Sequence, residues 1–206
     1  MVKMKLFRIL WIGVFLLNLC CKEAAGDRVE KETRENPSVQ ELPDLSIYHL
    51  PSKWTTQDNE NIRLEELRGK VLVMVMIYTS CQASCPRLVA DMRNLREKVS
   101  AENNKGVQYV FVSIDPEVDT PENLKTFAKE NKMDNDQWLF LRGSEEDTRE
   151  FAAVLGVNYK RISPMDFSHS NIISVFDRNG VLVQQKAGLG VDDRNTIAAI
   201  EKYSDL

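Results

Sequence analysis

The residues best suited to do chemistry in this sequence are two cysteines and one histidine. Thr79-Ser80-Cys81-Gln82-Ala83-Ser84-Cys85-Pro86 carries two thiols four residues apart, directly after a long apolar run. The pattern predicts a strand before them and a helix starting at them. A helix N-terminus has unpaired backbone N–H groups and the positive end of a dipole. Both favour thiolate, so a cysteine pKa is expected to fall there. Residues four apart share one helix face. Two thiolates so placed can close a disulfide or hold one soft metal ion, and soft thiolates select Cu(I). Cu(II) also accepts imidazole, so a nearby histidine would let one site hold both oxidation states. The chain has two histidines. His169, in Asp166-Phe167-Ser168-His169-Ser170, sits in a predicted loop just before a strand. His49, in Ile47-Tyr48-His49-Leu50-Pro51, lies upstream of the central elements and reads as a structural or surface residue.

The elements that must position these groups follow from periodicity. Residues 71–78 read VLVMVMIY, a β-rich run with no polar break until its end, as in a strand buried on both faces. Gly69 marks the turn before it. Leu88, Val89, Met92, Leu95 and Val99 recur at helical spacing from Pro86 onward. Residues 107–114 form a second buried strand. Thr120 caps a helix with Pro121 at its first position. Residues 138–141 form a short strand. Ser144 caps a helix that Gly156 ends. Residues 172–176 and 181–185 flank Asp177-Arg178-Asn179-Gly180, a hairpin signal. Residues 192–203 form the last helix. Alternation followed by a hairpin implies an α/β fold with a mixed sheet and helices on both faces. That is thioredoxin-like topology. In it the cysteines follow a central strand, and the loop bearing His169 lies beside the helix they begin.

The remainder of the chain reads as a means of attachment. Lys3, Lys5 and Arg8 precede the apolar run ILWIGVFLL at 9–17. That run is short of the about 20 residues a spanning helix needs and matches the apolar core of an export signal. Leu17-Asn18-Leu19-Cys20-Cys21 then resembles a bacterial lipoprotein signal, with lipid expected on Cys20 and Cys21 as the alternative. Residues 1–21 are therefore expected to be signal and anchor. Residues 22–44 carry mixed charges, few apolar groups, Pro37 and Pro43, and read as a flexible tether. The domain is expected over 45–206, outside the cytoplasm in the cell envelope. Among the 206 residues, 43% are hydrophobic and 28% charged, which suits one ordinary domain. The net charge of −4 argues against nucleic acid, which needs a basic surface. Four cysteines in two close pairs do not make a disulfide-stapled scaffold.

Several separate stretches resemble the Sco/SenC family of copper proteins. The Cys-x-x-x-Cys-Pro run from Cys81 to Pro86 is similar to its signature. Ser113-Ile114-Asp115-Pro116-Glu117-Val118-Asp119-Thr120-Pro121-Glu122 resembles its second motif. Trp138-Leu139-Phe140-Leu141-Arg142-Gly143 resembles the next, and His169 ahead of Asp177-Arg178-Asn179-Gly180 its histidine segment. The resemblance implies a thioredoxin fold, copper held by Cys81, Cys85 and His169, and help in building the CuA centre of cytochrome c oxidase. Partners so implied are the CuA-bearing subunit or another copper enzyme, a thiol reductant, and the membrane through the lipid. Gln82-Ala83-Ser84 departs from the commoner Pro-Asp/Thr-Val, which bears on partner choice more than on copper. Asp115 and Glu117 fall on the site's face, with either supporting or turn duties. Met165 reads as packing. The alternatives are a thiol–disulfide oxidoreductase acting through Cys81 and Cys85, a peroxidase suggested by Thr79-x-Cys81, and a redox or copper sensor. The usual redox spacing is C-x-x-C; the extra residue here gives a wider bite suited to a metal.

Overall fold

The computed structural model describes residues 41–81, 84–164 and 166–205. Cys20, Cys21, Gln82, Ala83 and Met165 lie outside the described residues, as does the segment expected to be signal and anchor. The strands in chain order are β1 (Lys53–Thr56), β2 (Asn61–Arg63), β3 (Val71–Ile77), β4 (Val107–Ser113), β5 (Trp138–Arg142), β6 (Tyr159–Arg161), β7 (Phe167–His169), β8 (Ile172–Phe176) and β9 (Leu182–Ala187). The helices are α1 (Cys85–Lys98), α2 (Pro121–Glu130), α3 (Glu145–Val154) and α4 (Arg194–Ser204). No helix among the described residues is long and apolar enough to cross a membrane.

A sheet of seven strands runs in the order β2-β1-β5-β4-β3-β8-β9, and β6 and β7 form a separate pair. β3 and β4 lie at its centre, parallel and in register from Val71↔Val107 to Ile77↔Ser113. Every residue of both strands is buried. This is why their apolar runs show almost no alternation: both faces are covered. β5 continues the parallel set, while β8 returns antiparallel against β3 and β9 against β8. The result is the mixed, thioredoxin-like arrangement expected from the sequence.

Helices pack on both faces. Phe140 of β5 stacks on Phe111 of β4 at 4.8 Å and meets Phe127 of α2 edge-on. The next residue, Leu141, points the other way, as successive strand residues do. It pairs with Thr56 of β1, so Trp54, two residues earlier, shares its face. There Trp54 meets Phe151 of α3. α2 and α3 therefore cover opposite faces. Cap chemistry fixes where they start. Thr120 accepts from the Asn123 N–H and Ser144 from the Asp147 N–H. Gly180, at φ +76°, closes the β8–β9 turn where a Cβ would lie 2.9 Å from Ser46 Oγ.

Two pairs of strands appear that periodicity did not predict. β1 and β2 form one edge of the sheet, and β6 and β7 form the small hairpin. β9 runs to Ala187, and its register with β8 shifts between Val175 and Phe176. His169 is not a loop residue: it is the last residue of β7.

Candidate metal centre

The carboxyl end of β3 delivers Tyr78, and the chain turns through Thr79 and Ser80 to Cys81, whose N–H donates to the Tyr78 carbonyl at 3.3 Å. Cys85 opens α1. Pro86 follows it at the start of the helix, where a missing N–H costs nothing. The Cys85 N–H, one of the helix's unpaired donors, points at Cys81 Sγ at 3.4 Å. Cys85 Sγ lies 3.7 Å from His169 Nε2. Both cysteines are buried. The three donor atoms lie within 4.8 Å of one another, a span one metal ion can bridge. Ser84 stands among them, its Oγ 3.4 Å from His169 Nε2 and 3.9 Å from Cys81 Sγ.

The histidine is held in the tautomer a ligand needs. Its Nδ1 lies 3.2 Å from the Ser170 carbonyl. A carbonyl only accepts, so the proton is assigned to Nδ1, and the Nε2 lone pair faces the sulfurs. Burial pushes the His169 pKa down, against the opposing pull of the Ser170 carbonyl. The imidazole is therefore neutral at pH 7.

At Cys85 the expected fall in pKa is not found. Burial pushes its thiol up, a backbone hydrogen bond at Tyr78 opposes this, and Cys81 and Asp119 add to the rise. Cys85 is 1% exposed. Losing water around a thiolate outweighs the helix end. Binding a metal at Cys85 must then expel a proton, so affinity falls as pH falls.

Asp119 holds the cysteine turn in place. Its carboxylate is fully buried and accepts from the Thr79 N–H at 3.2 Å, the Thr79 hydroxyl at 2.5 Å and the Ser113 hydroxyl at 2.6 Å. Burial raises its pKa while those bonds pull it down. Sequence reasoning took Asp119 only as part of a motif ahead of a helix start. Its other signal was position, six residues past the inward-facing Ser113. Asp119→Ala leaves buried donors unpaired and should destabilise the fold by about 2–4 kcal/mol. Thermal unfolding checks this; an unchanged melting temperature would mean these bonds are not what holds Thr79.

Tyr78 joins the cysteine strand to the histidine hairpin. Its hydroxyl accepts from the Phe167 N–H at 3.3 Å, and its ring stands edge-on to His169 at 5.9 Å. Burial pushes its pKa up to about 12. Asp115 and Glu117 both reach Arg161, at 2.8 and 3.4 Å. His49 is exposed, with Nε2 3.0 Å from the Pro43 carbonyl, in keeping with a surface role.

A protein-family model described as SCO1/SenC matches residues 47–205. A SCO1 protein homolog of Bacillus subtilis is 35% identical over 151 residues, covering 72% of this chain and 70% of that protein. A Stutzerimonas stutzeri protein named for copper binding is 25% identical over 150 residues, 71% of this chain and 69% of that one. The structure of BsSco, described as a member of the Sco family of cytochrome c oxidase assembly proteins, matches with a TM-score of 0.68 at 30% identity. It covers 81% of this chain and 99% of that one. The family match takes in both thiols, His169 and the Asp119 that steadies them, and the chain belongs to the SCO1/SenC family.

Proposed function

We propose that this protein is a copper carrier that binds Cu(I) and Cu(II) through Cys81, Cys85 and His169 and helps to build the CuA centre of cytochrome c oxidase. One observation carries it: two cysteine sulfurs and an imidazole nitrogen converge within 4.8 Å. Two thiolates suit Cu(I), and the added nitrogen suits Cu(II). A donor set of two sulfurs and one nitrogen suits copper. The oxidase role is supported by family membership and by the description of BsSco. Cys20, with Cys21 as the alternative, anchors the protein by lipid in the cell envelope; the mass of the mature N-terminus tests this, and an unmodified N-terminus overturns it.

The test of function is made in cells of the source organism lacking this protein. Restoring the wild-type chain should restore CuA-dependent oxidase activity, and restoring Cys85→Ser should not. Full oxidase assembly with the Cys85→Ser chain would overturn the proposal. The second reading, thiol–disulfide exchange, is favoured by the proximity of the two thiols and by the disulfide switch named in the description of BsSco. Against it, both are at least nine-tenths buried, and the Cys85 pKa is raised where a reactive thiol's is lowered.

A further inference from the structure

His169 reaches the site on a hairpin, and one arginine fastens that hairpin to the sheet. In the β6–β7 pair, Tyr159 stands opposite His169, Lys160 opposite Ser168, and Arg161 opposite Phe167. Paired residues share a face and successive ones alternate. Arg161, Phe167 and His169 therefore lie on one face, with Lys160 and Ser168 on the other. Phe167 is buried and His169 half-buried, whereas Lys160 and Ser168 are exposed. The first face is the one turned to the domain.

Arg161 makes four contacts from that face. Its guanidinium lies 4.4 Å from the centre of the Phe167 ring. Nη1 donates to the Pro164 carbonyl at 3.1 Å, inside the hairpin's own turn. Nη2 donates to Asp115 Oδ1 at 2.8 Å and lies 3.4 Å from Glu117 Oε2. Asp115 and Glu117 follow β4, so these bonds tie the hairpin to the central sheet. The Asp115 side chain is 1% exposed, and its Oδ2 has no hydrogen-bond partner among the described residues. A buried carboxylate this poorly satisfied depends on its one cation, and removing that cation leaves the charge uncompensated.

We propose that Arg161 is a positioning residue for His169. By gripping Phe167 and Asp115 it sets the hairpin against β4, which keeps Nε2 at the thiols. This rests on the copper reading of the site. The cysteines are carried by β3 and α1, whereas the Arg161 contacts named above go to the hairpin and to the residues after β4. Its loss should therefore act on Cu(II), which needs the nitrogen, and spare Cu(I), which two thiolates satisfy.

The test is a double-mutant cycle in the purified protein, with Cu(I) and Cu(II) affinities measured separately and circular dichroism verifying the fold. Arg161→Gln should weaken Cu(II) binding by about 10–100-fold, as loss of a group that orients a ligand does. Cu(I) binding should change by less than about threefold. Arg161→Lys, which keeps the charge without the planar fork, should recover part of the loss. In the His169→Ala background, Arg161→Gln should cost nothing further. An equal Cu(II) loss in both backgrounds, or equal losses of Cu(I) and Cu(II), would overturn the inference. Asp115→Asn provides the same reading from the other side of the contact should Arg161→Gln fail to fold. A wild-type protein that binds no copper would sink the copper reading itself. Wild-type binding with Arg161→Gln unaffected would sink this inference alone.

Discussion

Replacing either cysteine by serine should abolish the thiolate-to-Cu(II) charge-transfer bands of the copper-loaded protein. A hydroxyl is neither soft nor ionised at neutral pH, so the ion loses a soft donor that the neighbouring Ser84 hydroxyl does not replace. The affinity loss should exceed the about 10–100-fold that follows from disturbing a group that only supports a ligand. Cys81→Ser and Cys85→Ser should behave alike in this, although their surroundings differ. Cys85, the first residue of α1, is 1% exposed. Visible spectra and copper stoichiometry of the two variants check the expectation. Bands that survive in either variant would remove that residue from the ligand set.

The second large effect is at His169, and it divides the two oxidation states. His169→Ala should weaken Cu(II) binding far more than Cu(I) binding. Cu(II) favours nitrogen and more than two ligands, while Cu(I) is content with paired thiolates. The variant should keep its fold: His169 ends a three-residue strand, is half-buried, and its ring Nδ1 bonds the carbonyl of the next residue, Ser170. Disulfide exchange through Cys81 and Cys85 should be nearly unchanged. Separate Cu(I) and Cu(II) titrations decide the matter. Equal losses would give the histidine another role, and no loss would favour thiol chemistry over copper.

The parts of this molecule legible in the sequence are those that local pattern determines. β3 and β4 announce themselves because a strand buried on both faces is almost continuously apolar. The caps at Thr120 and Ser144 work through neighbours three residues away, so they can be read locally. β1, β2, β6 and β7 escape because three or four residues are too few to show a period. Tyr159-Lys160-Arg161 in particular has the look of a loop. The raised Cys85 pKa could not be read either. The helix start behind the expected fall is local, but the burial that raises the pKa comes from the whole fold. The Arg161–Asp115 pair joins residues 46 positions apart and has no sequence signature. The two thiols and His169 were legible as chemistry, while the hairpin that brings the imidazole to the thiols was not.

The most direct measurement of the central claim is X-ray absorption at the copper edge of the Cu(II)-loaded protein. Two sulfur scatterers and at least one imidazole nitrogen are expected around the metal, with the nitrogen lost in His169→Ala and one sulfur lost in Cys85→Ser. A shell of nitrogen and oxygen alone, unchanged by either substitution, would contradict the account.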